Sequence, residues 1–102
     1  RRLRVKRGEI WSYVPQGSPR KRTVLIVSAN GVNDSTRRWL YAVEIVDSDP
    51  QDILSVRMST QSWISGTSLT RVLRDWLTEP AGSVSEDIMD AVDAALRAAL
   101  SL

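Results

Sequence analysis

The feature that most constrains this chain is a run of four aliphatic residues that directly follows a cluster of cations. Val24, Leu25, Ile26 and Val27 come after Arg-Lys-Arg-Thr at positions 20–23. Consecutive aliphatic residues bounded by polar ones predict a strand that is buried on both faces. The cations therefore lie where a charged loop enters a rigid core strand. A positive charge held at such a junction can be aimed at a ligand, so we take this junction as the candidate functional centre.

The charge distribution along the chain favours an anionic ligand for this centre. The net charge of +2 divides unevenly, because residues 1–38 hold ten Lys and Arg against two acidic residues, and residues 39–102 hold four Arg against ten Asp and Glu. One half of the chain can therefore form a basic face and the other half an acidic one. A surface that binds a nucleic-acid phosphate explains this division, and so does a solvated basic arm followed by an acidic helix.

The residue types that are missing exclude several kinds of chemistry. The chain has 102 residues, no cysteine and no histidine. Disulfides and thiolate metal sites are thereby excluded, and the commonest general base and metal ligand is absent. We expect one domain spanning residues 1–102, no membrane span, no cofactor and a cytoplasmic location. Any catalysis must use Arg, Lys, carboxylates, hydroxyls or the backbone.

The pattern of apolar residues predicts antiparallel strands followed by a helix. Strands are predicted at residues 9–14, 23–28, 39–46 and 53–58, with the last two paired as a hairpin. Residues 69–77 are ambiguous between helix and strand, and Pro-Ala-Gly at 80–82 is predicted to break that segment. Residues 83–102 predict an amphipathic helix with Ser83 and Glu86 as a capping box, and with Asp93 paired to Arg97. The expected fold is α+β, a small, bent antiparallel barrel or five-stranded sheet covered by a C-terminal helix.

Three segments, in order along the chain, resemble the MazF/PemK family of toxins from type II toxin–antitoxin systems. Arg-Gly-Glu-Ile-Trp at residues 7–11 is similar to the first strand of that family. Arg-Thr-Val-Leu-Ile-Val-Ser at residues 22–28, followed by Asn30 and Asn33, is similar to its second strand and turn. The apolar pattern of the C-terminal helix, with Met89, Val92 and Leu96, is similar to the closing helix.

The resemblance implies an SH3-like barrel, a homodimer, and cleavage of single-stranded RNA without a metal ion. It also implies a cognate antitoxin with an acidic, partly disordered tail. Arg22 matches the catalytic arginine of the family, and residues 15–21 match a mobile loop that covers the RNA. We expect RNA contacts from the following residues: Tyr13, Gln16, Arg20, Lys21, Thr23, Arg37 and Arg38.

The chain departs from the family at the end of the third strand, where the family commonly has a catalytic Thr followed by Ser. Asp47 takes the Thr position with Ser48 beside it, and a shift of one residue would place Val46 there instead. The 2′-OH of the RNA is the nucleophile in metal-free cleavage, so the protein must stabilise phosphate charge and accept a proton. Arg22 suits the first task, Asp47 suits the second, and Ser48 can donate a hydrogen bond to a phosphate oxygen.

Two other functions on the same fold stay open at this point. A CcdB-like toxin that binds gyrase is one, although the C-terminal Ala-Ala-Leu-Ser-Leu lacks the aromatic residue by which that relative holds its target. A catalytically silent domain that binds only RNA or antitoxin is the other, since the catalytic Thr is missing. The Trp residues are ambiguous as well. Trp11, Trp39 and Trp63 can offer stacking faces to RNA, but Trp11 and Trp39 suit a core better, and Trp63 and Trp76 equally suit a dimer or antitoxin interface.

Overall fold

A computed structural model describes residues 4–102 as a curved antiparallel sheet with one long helix. Strand β1 spans Glu9–Tyr13 and β2 spans Arg22–Ile26, and the short helix α1 spans Asn30–Asn33. The next strands are β3 (Trp39–Val46), β4 (Ser55–Ser59), β5 (Ser62–Ser65) and β6 (Thr70–Leu73). A 3₁₀ turn at Arg74–Trp76 leads into β7 (Leu77–Ser83), and helix α2 spans Glu86–Leu100. The predicted α+β class is confirmed, with seven strands rather than five.

The order of the strands is β4-β5-β3-β2-β1-β7, and β6 also pairs with β3. The prediction that the third and fourth predicted strands form a hairpin is wrong. β4 pairs with β5 through Val56 and Ile64, and β5 in turn pairs with the end of β3 through Ile64 and Ile45. Only two residues connect β4 to β5, whereas eight separate β3 from β4, and short connections favour pairing between sequence neighbours.

The sheet separates two apolar clusters, and β2 contributes to both. Val24 and Ile26 lie in the first cluster, which the curved sheet encloses. Leu25 lies in the second cluster, together with Met89 and Val92 of α2. These three strand residues are at most 3% exposed, which confirms that the aliphatic run is buried on both faces. The strand that begins at Arg22 is therefore held firmly in the sheet by its last three residues.

The segment that the sequence left ambiguous is extended, and Pro80 does not interrupt it. Residues 70–73 form β6, and β7 continues through Pro80, which lies opposite Trp11 of β1. β7 is the last strand of the sheet order, so one of its sides has no ladder partner among the described residues. A proline lacks the N–H that a central strand needs, but an edge strand accommodates it. A register shift between Ile10 and Trp11 marks a bulge at the same place.

Helix α2 begins later than the sequence predicted. Its N-cap is Ser85, whose side chain accepts a hydrogen bond from the backbone N–H of Ile88 at 3.3 Å, so the predicted capping box at Ser83 is wrong. Ser83 is instead the last residue of β7. Asp93 pairs with Arg7 rather than with Arg97, and Arg7 also donates to the carbonyl of Val27 at 3.1 Å. Within residues 4–102 no helix is long and apolar enough to cross a membrane.

Candidate nucleic-acid interface and active site

Arg22 is the first residue of β2, and pairing with β1 fixes its backbone. It pairs with Tyr13 of β1, and the next residue, Thr23, pairs with Ile45 of β3. The preceding connection contains a tight turn in which the N–H of Ser18 donates to the carbonyl of Pro15 at 3.0 Å. Gly17 has a φ of 83° there, a conformation that glycine adopts without the strain of a side chain. The guanidinium of Arg22 is thus exposed on a firmly held backbone.

The first of two clefts beside Arg22 is a depression of about 460 Å³, which we call the basic cleft. Its charged lining residues are Arg20, Lys21, Arg22, Glu44 and Asp47. Lys21 is exposed and lies 3.7 Å from a carboxylate oxygen of Glu79. Because an exposed pair of this kind is weak, Lys21 remains available to a competing anion. The cleft therefore offers three cations to a ligand.

The second cleft, which we call the aromatic cleft, has a volume of about 560 Å³. The guanidinium of Arg71 lies 4.6 Å from the centroid of the Trp39 ring, and Trp39 is 41% exposed. Tyr13 and Trp76 form the inner wall, with their ring centroids 6.2 Å apart. Both volumes fall in the range of about 300–1,000 Å³ that is usual for ligand sites.

Two side chains, Arg22 and Glu44, line both clefts. Glu44 lies opposite Val24 in the β2–β3 ladder, so these two side chains project from the same face of the sheet. Arg22 precedes Val24 by two residues and therefore projects from that face as well. It is half-buried, and its backbone N–H donates to the hydroxyl of Ser68 at 2.8 Å. Arg22 and Glu44 thus mark the point where the two clefts meet.

The structure brings some of the predicted site residues together and leaves others apart. Arg20, Lys21, Arg22, Thr23 and Asp47 line the basic cleft. Tyr13 lines the aromatic cleft but is only 6% exposed, and its hydroxyl accepts a hydrogen bond from the N–H of Leu73 at 3.0 Å. Its ring is therefore a wall of the cleft with little free face. The predicted residues that line neither cleft are Gln16, Arg37, Arg38 and Ser48.

The residues outside the clefts are exposed, and their immediate surroundings differ. Arg38 lies 3.9 Å from Asp75, and both side chains are about 70% exposed. Ser48 follows β3 in an exposed bend, one residue beyond Asp47. Arg37 supplies a carbonyl that accepts a hydrogen bond from the buried guanidinium of Arg74 at 3.1 Å.

The Trp residues divide between the core and the surface. Trp11 is 3% exposed and belongs to the first apolar cluster, so it offers no stacking face. Trp63 is half-buried in β5, with the guanidinium of Arg57 5.9 Å from its ring centroid. Trp39 is the tryptophan that is both exposed and placed in a cleft with Arg22.

Sequence reasoning missed Glu44, Ser68 and Arg71 as cleft residues. The signal for Glu44 was a single acidic residue inside a strand that is otherwise apolar and aromatic. Arg71 and Ser68 carried no comparable signal, because their positions depend on the pairing of β6 with β3.

Comparison with known proteins decides the family. Residues 6–100 match the family described as PemK-like, MazF-like toxin of type II toxin–antitoxin system. The chain belongs to this family. A search of curated protein sequences gives no match.

Solved structures of endoribonucleases and of MazE–MazF share this fold. An endoribonuclease from a mycobacterial species superposes with a TM-score of 0.86 at 21% identity, covering 99% of this chain and 95% of the other. A mycobacterial endoribonuclease in complex with its cognate antitoxin has a TM-score of 0.82 at 22% identity, and the match covers 97% of this chain and 95% of the other. A MazE–MazF structure from Deinococcus radiodurans has a TM-score of 0.82 at 15% identity, and the match covers 98% of this chain and 99% of the other. At these identities the likeness establishes the fold of this MazF-like toxin.

Proposed function

We propose that this MazF-like toxin is an endoribonuclease that cleaves single-stranded RNA, with Arg22 bound to the scissile phosphate. The observation that carries the proposal is the placement of Arg22. Its backbone pairs with Tyr13 of β1, its side chain is exposed, and it lines both the basic and the aromatic cleft. A guanidinium is always charged and can bind two phosphate oxygens through parallel hydrogen bonds.

The proposed reaction uses the 2′-OH of the RNA as the nucleophile. This oxygen loses its proton to a carboxylate of the site and forms a bond to the adjacent phosphorus, while the bond from phosphorus to the 5′ oxygen of the next nucleotide breaks. The leaving oxygen takes a proton from water. The products are a 2′,3′-cyclic phosphate and a 5′-hydroxyl. Arg22 stabilises the negative charge that grows on the phosphate during this step.

The two clefts suit successive parts of a single strand. Arg20 and Lys21 extend the positive charge of Arg22 along the basic cleft, where they are placed to contact neighbouring phosphates. Trp39 and Arg71 provide a stacked pair in the aromatic cleft, on which an unpaired base can stack. Glu44 and Asp47 are the two carboxylates of the basic cleft, and Asp47 is the base that the sequence suggested.

We also propose that the toxin acts as a homodimer in the bacterial cytoplasm and that a cognate antitoxin inhibits it. Among the similar structures are a mycobacterial endoribonuclease in complex with its cognate antitoxin and a MazE–MazF structure. An acidic antitoxin segment would be attracted by the same cations that are proposed to bind RNA. The antitoxin would then compete with RNA for the basic cleft.

An RNA cleavage assay with matched arginine variants tests the proposed function. The purified protein is incubated with single-stranded RNA in the presence of EDTA, and the ends of the products are sequenced. Wild type should yield 5′-hydroxyl ends. Arg22→Ala should lower the cleavage rate about 10²–10³-fold, as is usual when one donor to a transition-state oxyanion is removed. Arg97→Ala, which removes an exposed cation on α2, is the control and should cleave like wild type.

Two results would count against this function. RNA that stays intact with wild type would show a domain that only binds its ligands. Equal cleavage by wild type and Arg22→Ala would mean that the phosphate is held elsewhere.

A further inference from the structure

We propose that Glu44 is the general base that takes the proton from the 2′-OH. This inference rests on the proposed ribonuclease function and assigns a role that the family pattern, with its Thr, does not supply. The reasons are the position of Glu44 in the sheet, the absence of an ion pair to Glu44 among residues 4–102, and its place within a strand, whereas Asp47 lies in an exposed bend.

The sheet register places Glu44 beside Arg22. Val24 of β2 pairs with Glu44 of β3, and Arg22 precedes Val24 by two residues. Arg22 and Glu44 are therefore diagonal neighbours on one face of two adjacent strands, a relation with a typical separation of about 7–8 Å. From these neighbouring positions the two long side chains can reach one nucleotide together, with the carboxylate toward the 2′-OH and the guanidinium toward the phosphate. Both side chains line both clefts, so a strand that passes from one cleft to the other lies beside both of them.

The charges of the pair remain available to a ligand. The ion pairs found among residues 4–102 join Arg7 to Asp93, Lys21 to Glu79 and Arg38 to Asp75. Neither Arg22 nor Glu44 takes part in these pairs. The Glu44 carboxylate and the Arg22 guanidinium line the same clefts and are not paired with each other. They suit RNA, which needs a proton removed from its 2′-OH and negative charge stabilised on the adjacent phosphate.

Glu44 is better held than Asp47, the other carboxylate of the basic cleft. Glu44 is half-buried within β3, and its backbone N–H is bonded to the hydroxyl of Ser68. Asp47 is exposed, lies in the bend after the last residue of β3, and lines the basic cleft but not the aromatic cleft. A general base must stay within hydrogen-bond reach of the proton it removes, and a strand holds a side chain more firmly than an exposed bend.

The proton and the bonds balance in this scheme. The Glu44 carboxylate gains the 2′-OH proton as the new oxygen–phosphorus bond forms. The bond to the 5′ oxygen breaks, and water supplies the proton that this oxygen takes. Glu44 then returns its proton to solvent, so the enzyme is regenerated without any other reactant.

The test compares carboxylate variants for cleavage, RNA binding and chemical rescue. Glu44→Gln should lower the cleavage rate about 10²–10⁴-fold, the usual contribution of a general base, while affinity for 2′-O-methyl RNA stays within about threefold of wild type. Glu44→Ala should be equally slow, and added formate should restore part of its rate by acting as a substitute base. Asp90→Asn, which neutralises an exposed carboxylate on α2, should cleave like wild type.

The outcomes separate this inference from the function on which it rests. If wild type does not cleave RNA, the proposed function itself fails. If wild type cleaves and Glu44→Gln cleaves equally well, Glu44 is not the base. A large loss in Asp47→Asn with Glu44→Gln unaffected would assign the base to Asp47. Loss in Glu44→Ala without any formate rescue, together with weaker binding of 2′-O-methyl RNA, would indicate a structural role and overturn the proposal.

Discussion

At the scale of single residues, Gly66 shows how closely the elements around the helix approach one another. A Cβ at this position would lie 2.1 Å from the carbonyl oxygen of Leu54 and 3.1 Å from the Cβ of Ala95 in α2. The first contact is with backbone, which cannot rotate away as a long side chain can. Gly66 therefore permits the connection after β5 to pass between the β3–β4 segment and the helix.

We expect Gly66→Ala to destabilise the fold by about 1–3 kcal/mol, the usual cost of forcing an extra carbon into a packed site. In a domain of this size each kcal/mol lowers the melting temperature by about 4–8 °C, which circular dichroism measures directly. Gly31→Ala is the matched control, because a Cβ at Gly31 in α1 would meet no atom within 4 Å. If Gly66→Ala has the same melting temperature as Gly31→Ala, the backbone at Leu54 can move aside and the prediction is wrong.

The site residues differ in how far the sequence could predict them. Arg22 was predictable because three cations next to an aliphatic run form a local pattern, and the strand holds the last cation in place. Arg71 was not, because its place beside Trp39 requires β6 to pair with the first half of β3. Glu44 was predictable only in part. Its strand was predicted, but its place beside Arg22 on one face of the sheet depends on the register between β2 and β3.

At the scale of elements, the strands and the helix were predictable where one local pattern dominated. β1, β2, β3 and α2 each have alternating, continuous or helical apolar patterns, and all four occur near the expected positions. β7 was missed because its Pro and Gly are typical of turns, although an edge strand and a bulge accommodate both. The pairing of β4 was not predictable from its own residues either. It depends on whether the short connection to β5 or the longer connection to β3 brings the partner strand.

The start of α2 gives a prediction at this scale, because two nearby serines compete for the cap. Ser85→Ala removes the hydroxyl that accepts from the N–H of Ile88, and it should cost about 0.5–2 kcal/mol. Ser83→Ala should change stability by less than about 0.5 kcal/mol, because Ser83 is exposed at the end of β7. The two free energies of unfolding, measured in urea, check the assignment. A larger loss at Ser83 than at Ser85 would restore the capping box that the sequence suggested.

At the scale of the whole molecule, the fold gathers three cations at the start of β2 and leaves several carboxylates exposed on α2. The cations of residues 20–22 line the basic cleft, whereas Glu86 and Asp87 lie in the first turn of α2. Helix α2 packs Met89 and Val92 into the second apolar cluster and leaves Glu86, Asp87 and Asp90 exposed. A polyanion is therefore attracted to the cations of the basic cleft and repelled by the exposed carboxylates of the helix.

This arrangement of charges predicts how RNA binding depends on salt. Binding is measured with 2′-O-methyl RNA, which cannot be cut because its nucleophile is blocked. Each phosphate contact to a single strand contributes about −0.7 to the slope of log K against log salt, so Arg20, Lys21 and Arg22 together predict a slope of about −2.

Arg20→Gln should weaken binding to all sequences alike and make the slope shallower by about 0.7, because one released counterion is lost. Arg97→Gln removes the same charge from the helix side and should leave both affinity and slope unchanged. Equal effects of the two substitutions would mean that the RNA responds to net charge alone rather than to contacts in the basic cleft.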